Sequence, residues 1–258
     1  YPPEKYSTMD EKEFKEMWES MQTDGYFTTH PHYEDYFGKE PSDEDRVLDQ
    51  IILSLDFSSS DIYIPIPYSE ALERSAKRTE PMWLPKTFDL PQNGIALDVG
   101  CGFGRSVRWL SEQYDQVIGT DISSQVIDKA RELCQEIDNA TFYVNEADSL
   151  PVEVLPSSID MVYVFTVFQH IPREYTLGLL QKIQEVLSNN GVVVFNLVSC
   201  INEDKNDGVV ETEWAIGYSE SQAQDLLAKA GLQLQKMTKW SGPESIASWL
   251  WVAASKKM

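Results

Sequence analysis

Apolar positions along this 258-residue chain change their spacing near residue 90. Before that point, Phe14, Met17, Trp18 and Met21 recur at helical intervals, and Asp10 with Glu13 resembles a capping pair, so a helix is expected over 10–22. A second stripe, Val47, Leu48, Ile51, Ile52 and Leu55, predicts another helix after Ser42. The stretch Gly25–Phe37 between them is rich in aromatics. Ile62–Tyr68 is expected to be extended, because each proline disfavours helix in the residue before it. Residues 69–78 suit a short helix.

From residue 94 onward short apolar runs alternate with helical stripes, the pattern of a parallel sheet. Strands are expected near 95–99, 116–120, 140–145, 159–165 and 192–198, and helices near 104–113, 124–137, 174–188 and 219–230. Residues 232–239 and 247–255 read as two more strands. The chain therefore divides into an N-terminal helical and irregular cap, 1–90, and an α/β domain, 91–258.

Within the α/β part, Ile95-Ala-Leu-Asp-Val-Gly-Cys-Gly-Phe-Gly-Arg105 reads as a strand that breaks into a glycine loop and enters a helix. Glycines at 100, 102 and 104 let backbone turn tightly and approach a ligand. Asp98 precedes the first glycine, and Gln116-Val-Ile-Gly-Thr-Asp121 ends in a second acid, placed to hold a ribose by its two hydroxyls. A dinucleotide fingerprint needs glycine at 105, where Arg105 stands, and Asp98 would repel a pyrophosphate but suits an ammonium group.

These residues resemble the class I S-adenosylmethionine-dependent methyltransferases, from about Gly94 to Ser199 and more loosely to the C-terminus. Ala140-Thr-Phe-Tyr-Val-Asn-Glu-Ala-Asp148-Ser-Leu-Pro151 is similar to the family's third strand and acidic loop, and Ser158–Phe165 to its fourth strand. Leu187-Ser-Asn-Asn-Gly191-Val-Val-Val-Phe195 is similar to the turn and fifth strand, with Asn190 where glycine is usual. The resemblance implies a Rossmann-like, doubly wound, seven-stranded sheet, mostly parallel with an antiparallel last strand, plus an N-terminal helical cap. It also implies S-adenosylmethionine as methyl donor, leaving as S-adenosylhomocysteine. The donor's amino-acid part would lie near Asp98 and Gly100 and its ribose at Asp121, with Cys101, Gly102, Gly104, Arg105 and Ile122 also among the cofactor-binding residues. Adenine would meet Ala147, Asp148 and Ser149, and Phe165 would face the transferred methyl.

Methyl transfer from a sulfonium is an in-line displacement governed by alignment, and a base is needed only when the acceptor must lose a proton. The loop Phe165-Thr-Val-Phe-Gln-His170-Ile-Pro172 should face the methyl, because ligands in open α/β sheets bind outside the carboxyl ends of strands. His170 is the candidate base, or a brace for the loop; Gln169 would orient the acceptor or cap the loop. Acceptor-facing candidates are Phe168, Tyr26, His30 and His32 of the cap, and Trp214 and Tyr218 after the fifth strand. For each aromatic the competing assignment is packing.

Net charge is −21, from 42 acidic and 21 basic residues, and both segments are acidic, which opposes binding to nucleic-acid backbones. No apolar run reaches the roughly 20 residues of a membrane span, and Tyr1-Pro-Pro-Glu-Lys has no signal-peptide character. Cysteines 101, 134 and 200 are scattered, arguing for a reducing compartment, and metal-ligand spacing is absent. The expectation is a cytoplasmic enzyme, monomer or homodimer, methylating an O or N atom of a small molecule without metal, nucleic acid or membrane. Competing readings are a peptide or protein methyltransferase, a non-catalytic S-adenosylmethionine-binding subunit, and a nucleotide-dependent oxidoreductase, against which the broken glycine spacing counts.

Overall fold

The computed structural model describes residues 12, 13, 15, 16, 88–102, 104–199, 216–240 and 249–257. Lys12, Glu13, Lys15 and Glu16 are helical, inside the first expected helix, and the rest of the expected cap, 1–11, 14 and 17–87, lies outside the described residues. The elements are β1 (Ile95–Val99), α1 (Arg105–Ser111), β2 (Gln116–Asp121), α2 (Ser124–Leu133), β3 (Ala140–Val144), β4 (Ile159–Val164), α3 (Arg173–Val186), β5 (Leu187–Ser199), β6 (Gly217–Tyr218), α4 (Glu220–Lys229), β7 (Leu232–Trp240) and β8 (Trp249–Lys256), with a 3-10 turn at Phe168–His170.

The strands form one sheet in the order β3-β2-β1-β4-β5-β8-β7, with β6 added beside β5. Strands β1 to β5 pair in parallel, while β8 runs antiparallel between β5 and β7. The seven-strand path and its inserted antiparallel strand are those expected; the two-residue β6 is additional, too short to carry a periodic signal. The chain builds outward from β1 to β3, then returns to place β4 on the other side of β1. A crevice therefore opens at the carboxyl ends of β1 and β4, where the winding direction reverses.

Both faces of the sheet are covered, which is why its central strands are nearly continuous apolar runs. Ala96, Met161, Tyr163, Val194 and Trp251 pack with Val107 and Leu110 of α1 and Ile127 of α2, a layer that also includes Phe88. Leu97, Val162, Val164, Val193 and Phe195 pack on the opposite face with Leu179, Leu180 and Ile183 of α3 and Leu227 of α4. Helix α4 begins with a reciprocal cap: the Gln222 N–H donates to Ser219 Oγ at 3.1 Å, and the Ser219 N–H to Gln222 Oε1 at 2.9 Å. No helix among the described residues is long and apolar enough to cross a membrane.

Several boundaries differ from expectation. Helix α2 stops at Leu133 and α3 at Val186, short of 137 and 188. The segment Leu187–Gly191, read as a turn, already belongs to β5. Its pairing with β4 slips there, from Ile159 opposite Leu187 to Met161 opposite Val192. Gly191 permits the slip, since a Cβ on it would stand 2.6 Å from the Ile159 carbonyl oxygen. Gly191→Ala should accordingly destabilise the fold by about 1–3 kcal/mol, read as a lower urea midpoint at unchanged slope.

Candidate functional site

The crevice is rimmed by the glycine loop after β1. Gly100 takes φ +72 and Gly102 φ +54, a left-handed backbone that side-chain-bearing residues rarely adopt. The N–H groups of Gly100 and Cys101 both donate to the Thr120 carbonyl, at 2.8 and 2.9 Å. A Cβ on Gly100 would stand 2.2 Å from Val167 Cγ2, whereas one on Gly102 would meet none of the described residues within 4 Å. Gly100 is thus packed shut by the loop after β4, and Gly102 is left open by the described residues.

Asp121 organises the other side of this rim. One carboxylate oxygen accepts the Gly102 N–H at 3.2 Å and the other the Ser123 N–H at 3.0 Å. Asn145, at the end of β3, donates its N–H to the Asp121 carbonyl at 3.0 Å. Asp98 is buried, opposite Gly119 of β2 and Tyr163 of β4. The structure therefore brings Asp98, Gly100, Gly102 and Asp121 to one crevice edge. Gly104 closes the loop as the left-handed residue before α1, and the Arg105 side chain lies outside the described residues.

Cys101 is a packed residue. Its thiol is buried and donates to the Gly102 carbonyl at 3.4 Å. Burial first, then the carboxylates of Asp98 and Asp121, push the thiol's pKa well above its ordinary value. Only its backbone remains for a ligand. Ile122 is half-buried against the core on the α3 side, Ala147 is buried there too, and Ser149 is half-buried. Asp148 is exposed, its Cβ lying 3.0 Å from where a Gly178 Cβ would stand, so the acid rests on α3. Glu146, two residues earlier, is held by Lys15 at 2.8 Å.

Phe165 forms the floor at the end of β4. Its ring stacks on Trp251 at 5.7 Å and 9°, and on Tyr163 at 6.2 Å and 15°. Beyond it lies the 3-10 turn, where Gln169 Nε2 stands 3.2 Å from His170 Nε2 and the Gln169 carbonyl accepts the Ile216 N–H at 2.9 Å. Gln169 Oε1 is buried with no partner among the described residues. Burial lowers the His170 pKa to about 4. The imidazole is therefore neutral at physiological pH, and a neutral ring can accept from the Gln169 amide.

Two acceptor-facing expectations are corrected. Phe168 is completely buried, edge-on to Phe195 at 5.3 Å and 86°, and belongs to the core. Tyr218 is 2% exposed, its ring beneath the Arg173 guanidinium at 4.2 Å and its hydroxyl 3.5 Å from Thr176 Oγ1. In both, an aromatic beside a ligand loop satisfies the packing of α3 instead. Tyr26, His30, His32 and Trp214 lie outside the described residues.

Sequence reasoning passed over Thr166, Val167, Asn196 and Asn145. For Asn196 a signal existed, one amide in the apolar run Val192–Val198. Thr166 has φ +57, which local sequence does not announce.

Residues 96–191 match the family described as a methyltransferase domain. Sterol 24-C-methyltransferase of Candida albicans is 28% identical over 152 residues, 58% of this chain and 39% of the relative. The 2-methyl-6-phytyl-1,4-hydroquinone methyltransferase of Synechocystis is 32% identical over 106 residues, 41% of this chain and 32% of the relative. The chain thus spans well under half of each relative's length. Among solved structures, a putative methyltransferase from Bacillus halodurans aligns with TM-score 0.56 and 16% identity, over 66% of this chain and 95% of that one. The [4+2]-cyclase SpnF aligns with TM-score 0.55 and 16% identity, over 65% and 76%. Residues 96–191 are thus a methyltransferase domain, and the sheet around them has the fold of solved S-adenosylmethionine-dependent methyltransferases.

The residues present fit S-adenosylmethionine: the Asp121 carboxylate at the end of β2, a buried acid at Asp98, and a glycine at 102 whose missing side chain would meet none of the described residues. Asp121→Ala should weaken S-adenosylhomocysteine binding by about tenfold or more, measured by calorimetry, because a charged acceptor is lost. It should also cost about 1–2 kcal/mol of stability in a urea titration, since the Gly102 and Ser123 N–H groups lose their partner.

Proposed function

We propose that this protein transfers a methyl group from S-adenosylmethionine to an O or N atom of a small-molecule acceptor. The observation that carries the reading is the crevice edge of Asp98, Gly102 and Asp121 beside the Phe165–His170 segment, at the reversal point of the sheet. S-Adenosylmethionine, when bound, supplies an already activated methyl. Asp121 holds the ribose, Asp98 balances the ammonium, and the backbone at Gly102 closes on the donor. Gln169 Oε1 accepts an N–H or O–H of the acceptor and orients its lone pair toward the methyl.

The electrostatics of His170 supports a nucleophile that needs little deprotonation. A group whose pKa lies about 4 is a weak base near neutrality, so an amine or an acidic hydroxyl suits the site better than an alcohol. The sterol relative's name favours a second reading, transfer to carbon. Incubation with methyl-labelled S-adenosylmethionine and a panel of amines, phenols and alkenes separates the two: label on carbon would overturn the heteroatom assignment. No labelled product from any acceptor, with the donor bound, would favour a binding subunit.

His170 also fixes a pH dependence. Its folded-state pKa of about 4 lies below the ordinary 6.5, so between these values the unfolded chain binds a proton that the folded one refuses. Stability should therefore rise with pH across that window, by a few kcal/mol at most, and lose this dependence below about pH 4. His170→Asn should flatten this component in urea titrations at several pH values. In the wild type, the transfer rate should show no inflection near pH 6.5 attributable to this imidazole.

A further inference from the structure

We propose that Asn196 is a positioning residue that acts through Thr166 and Val167 to press the loop after β4 onto Gly100. By doing so it shapes the glycine loop that receives the donor. The identity of that donor rests on the function proposed above; the mechanical link does not.

Asn196 is 1% exposed in β5, flanked by Val194, Phe195 and Leu197. A buried amide is costly unless it is hydrogen-bonded. Its Oδ1 accepts the Thr166 N–H at 2.8 Å, while its Nδ2 has no partner among the described residues. The amide's donor half is thus unused in the otherwise apolar run 192–198. The half that is used holds one particular backbone group.

That group belongs to a residue in an unfavourable conformation. Thr166 sits at φ +57, a left-handed backbone that β-branched residues seldom adopt and that persists only when neighbours impose it. The Asn196 bond is one such restraint, and the Thr166 hydroxyl donates to the Phe165 carbonyl at 2.7 Å as a second. The left-handed turn aims Val167 across the crevice, where its Cγ2 occupies the space a Gly100 Cβ would need, 2.2 Å away. Val167 in turn accepts the His170 N–H at its carbonyl, 2.8 Å, so the same amide also governs the turn bearing Gln169 and His170. The contacts form an unbroken chain from the interior of β5 to both sides of the crevice, which is what positional coupling requires.

The test uses Asn196→Leu, Asn196→Asp and Val167→Ala in the full chain. Hydrogen exchange is read without ligand at the Gly100 and Cys101 amides relative to those of β1, and S-adenosylhomocysteine affinity by calorimetry. Asn196→Leu and Val167→Ala should each speed exchange at Gly100 and Cys101 by about tenfold and weaken binding by a similar factor. Asn196→Asp keeps the acceptor oxygen and should stay within about threefold of wild type in both readouts. A cooperatively melting Asn196→Leu with unchanged exchange and affinity would overturn the proposal. Should that variant not fold, unchanged exchange in Val167→Ala, which leaves the Asn196–Thr166 bond intact, overturns it equally. Asn196→Asp failing as badly as Asn196→Leu while still melting cooperatively would count against the acceptor oxygen and overturn the proposal. If the wild type did not bind S-adenosylhomocysteine, the donor reading would fall while the exchange measurement still decided this one.

Discussion

At the end of β2, two consecutive residues take up four backbone N–H groups. The Thr120 carbonyl accepts from Gly100 and Cys101, and the Asp121 carboxylate accepts from Gly102 and Ser123. A glycine-rich loop has many unfolded conformations to lose and no side chains to hold it, so unpaired donors there would leave it without a shape. Tying its N–H groups to the neighbouring strand converts the loop into a fixed rim. The rest of the site depends on that rim: the opening at Gly102, the start of α2 at Ser123, and the seat of Val167 on Gly100.

The second side of the crevice is built differently. There the backbone is held by side chains from deeper in the sheet, with Asn196 restraining Thr166 and Trp251 backing Phe165. Strand β8, which contributes Trp251, arrives from the C-terminal hairpin and is inserted antiparallel beside β5. The glycine-loop side is consequently local in sequence, drawn from β1 to β3, while the opposite side is assembled from β4, β5 and β8. This division suits a fold in which one donor is common to many activities.

Charge has a narrower role than the net value of −21 suggests. Two of the acids that matter, Asp98 and Asp121, stand at the crevice, where they suit a donor carrying an ammonium group and a ribose. Many others form exposed pairs along helices, such as Lys129 with Glu132 and Lys182 with Glu185, each contributing little to stability.

The alternation of strands and helices, the glycine loop and the two strand-end acids were legible along the chain because each depends on spacing within a few residues. Periodicity reports which face is buried, and three glycines at alternate positions mark a backbone that takes turns closed to other residues. The slip at Gly191, the burial of Phe168 and Tyr218 in the core, and the left-handed Thr166 were not legible. Each depends on what a distant segment places alongside: the Ile159 carbonyl, the Phe195 ring, the Arg173 guanidinium and the Asn196 amide. Local pattern can state that an aromatic is apolar or that an amide is out of place in a strand. Which neighbour receives it is decided only when the sheet closes, because packing and hydrogen-bond satisfaction are properties of residues far apart in the chain.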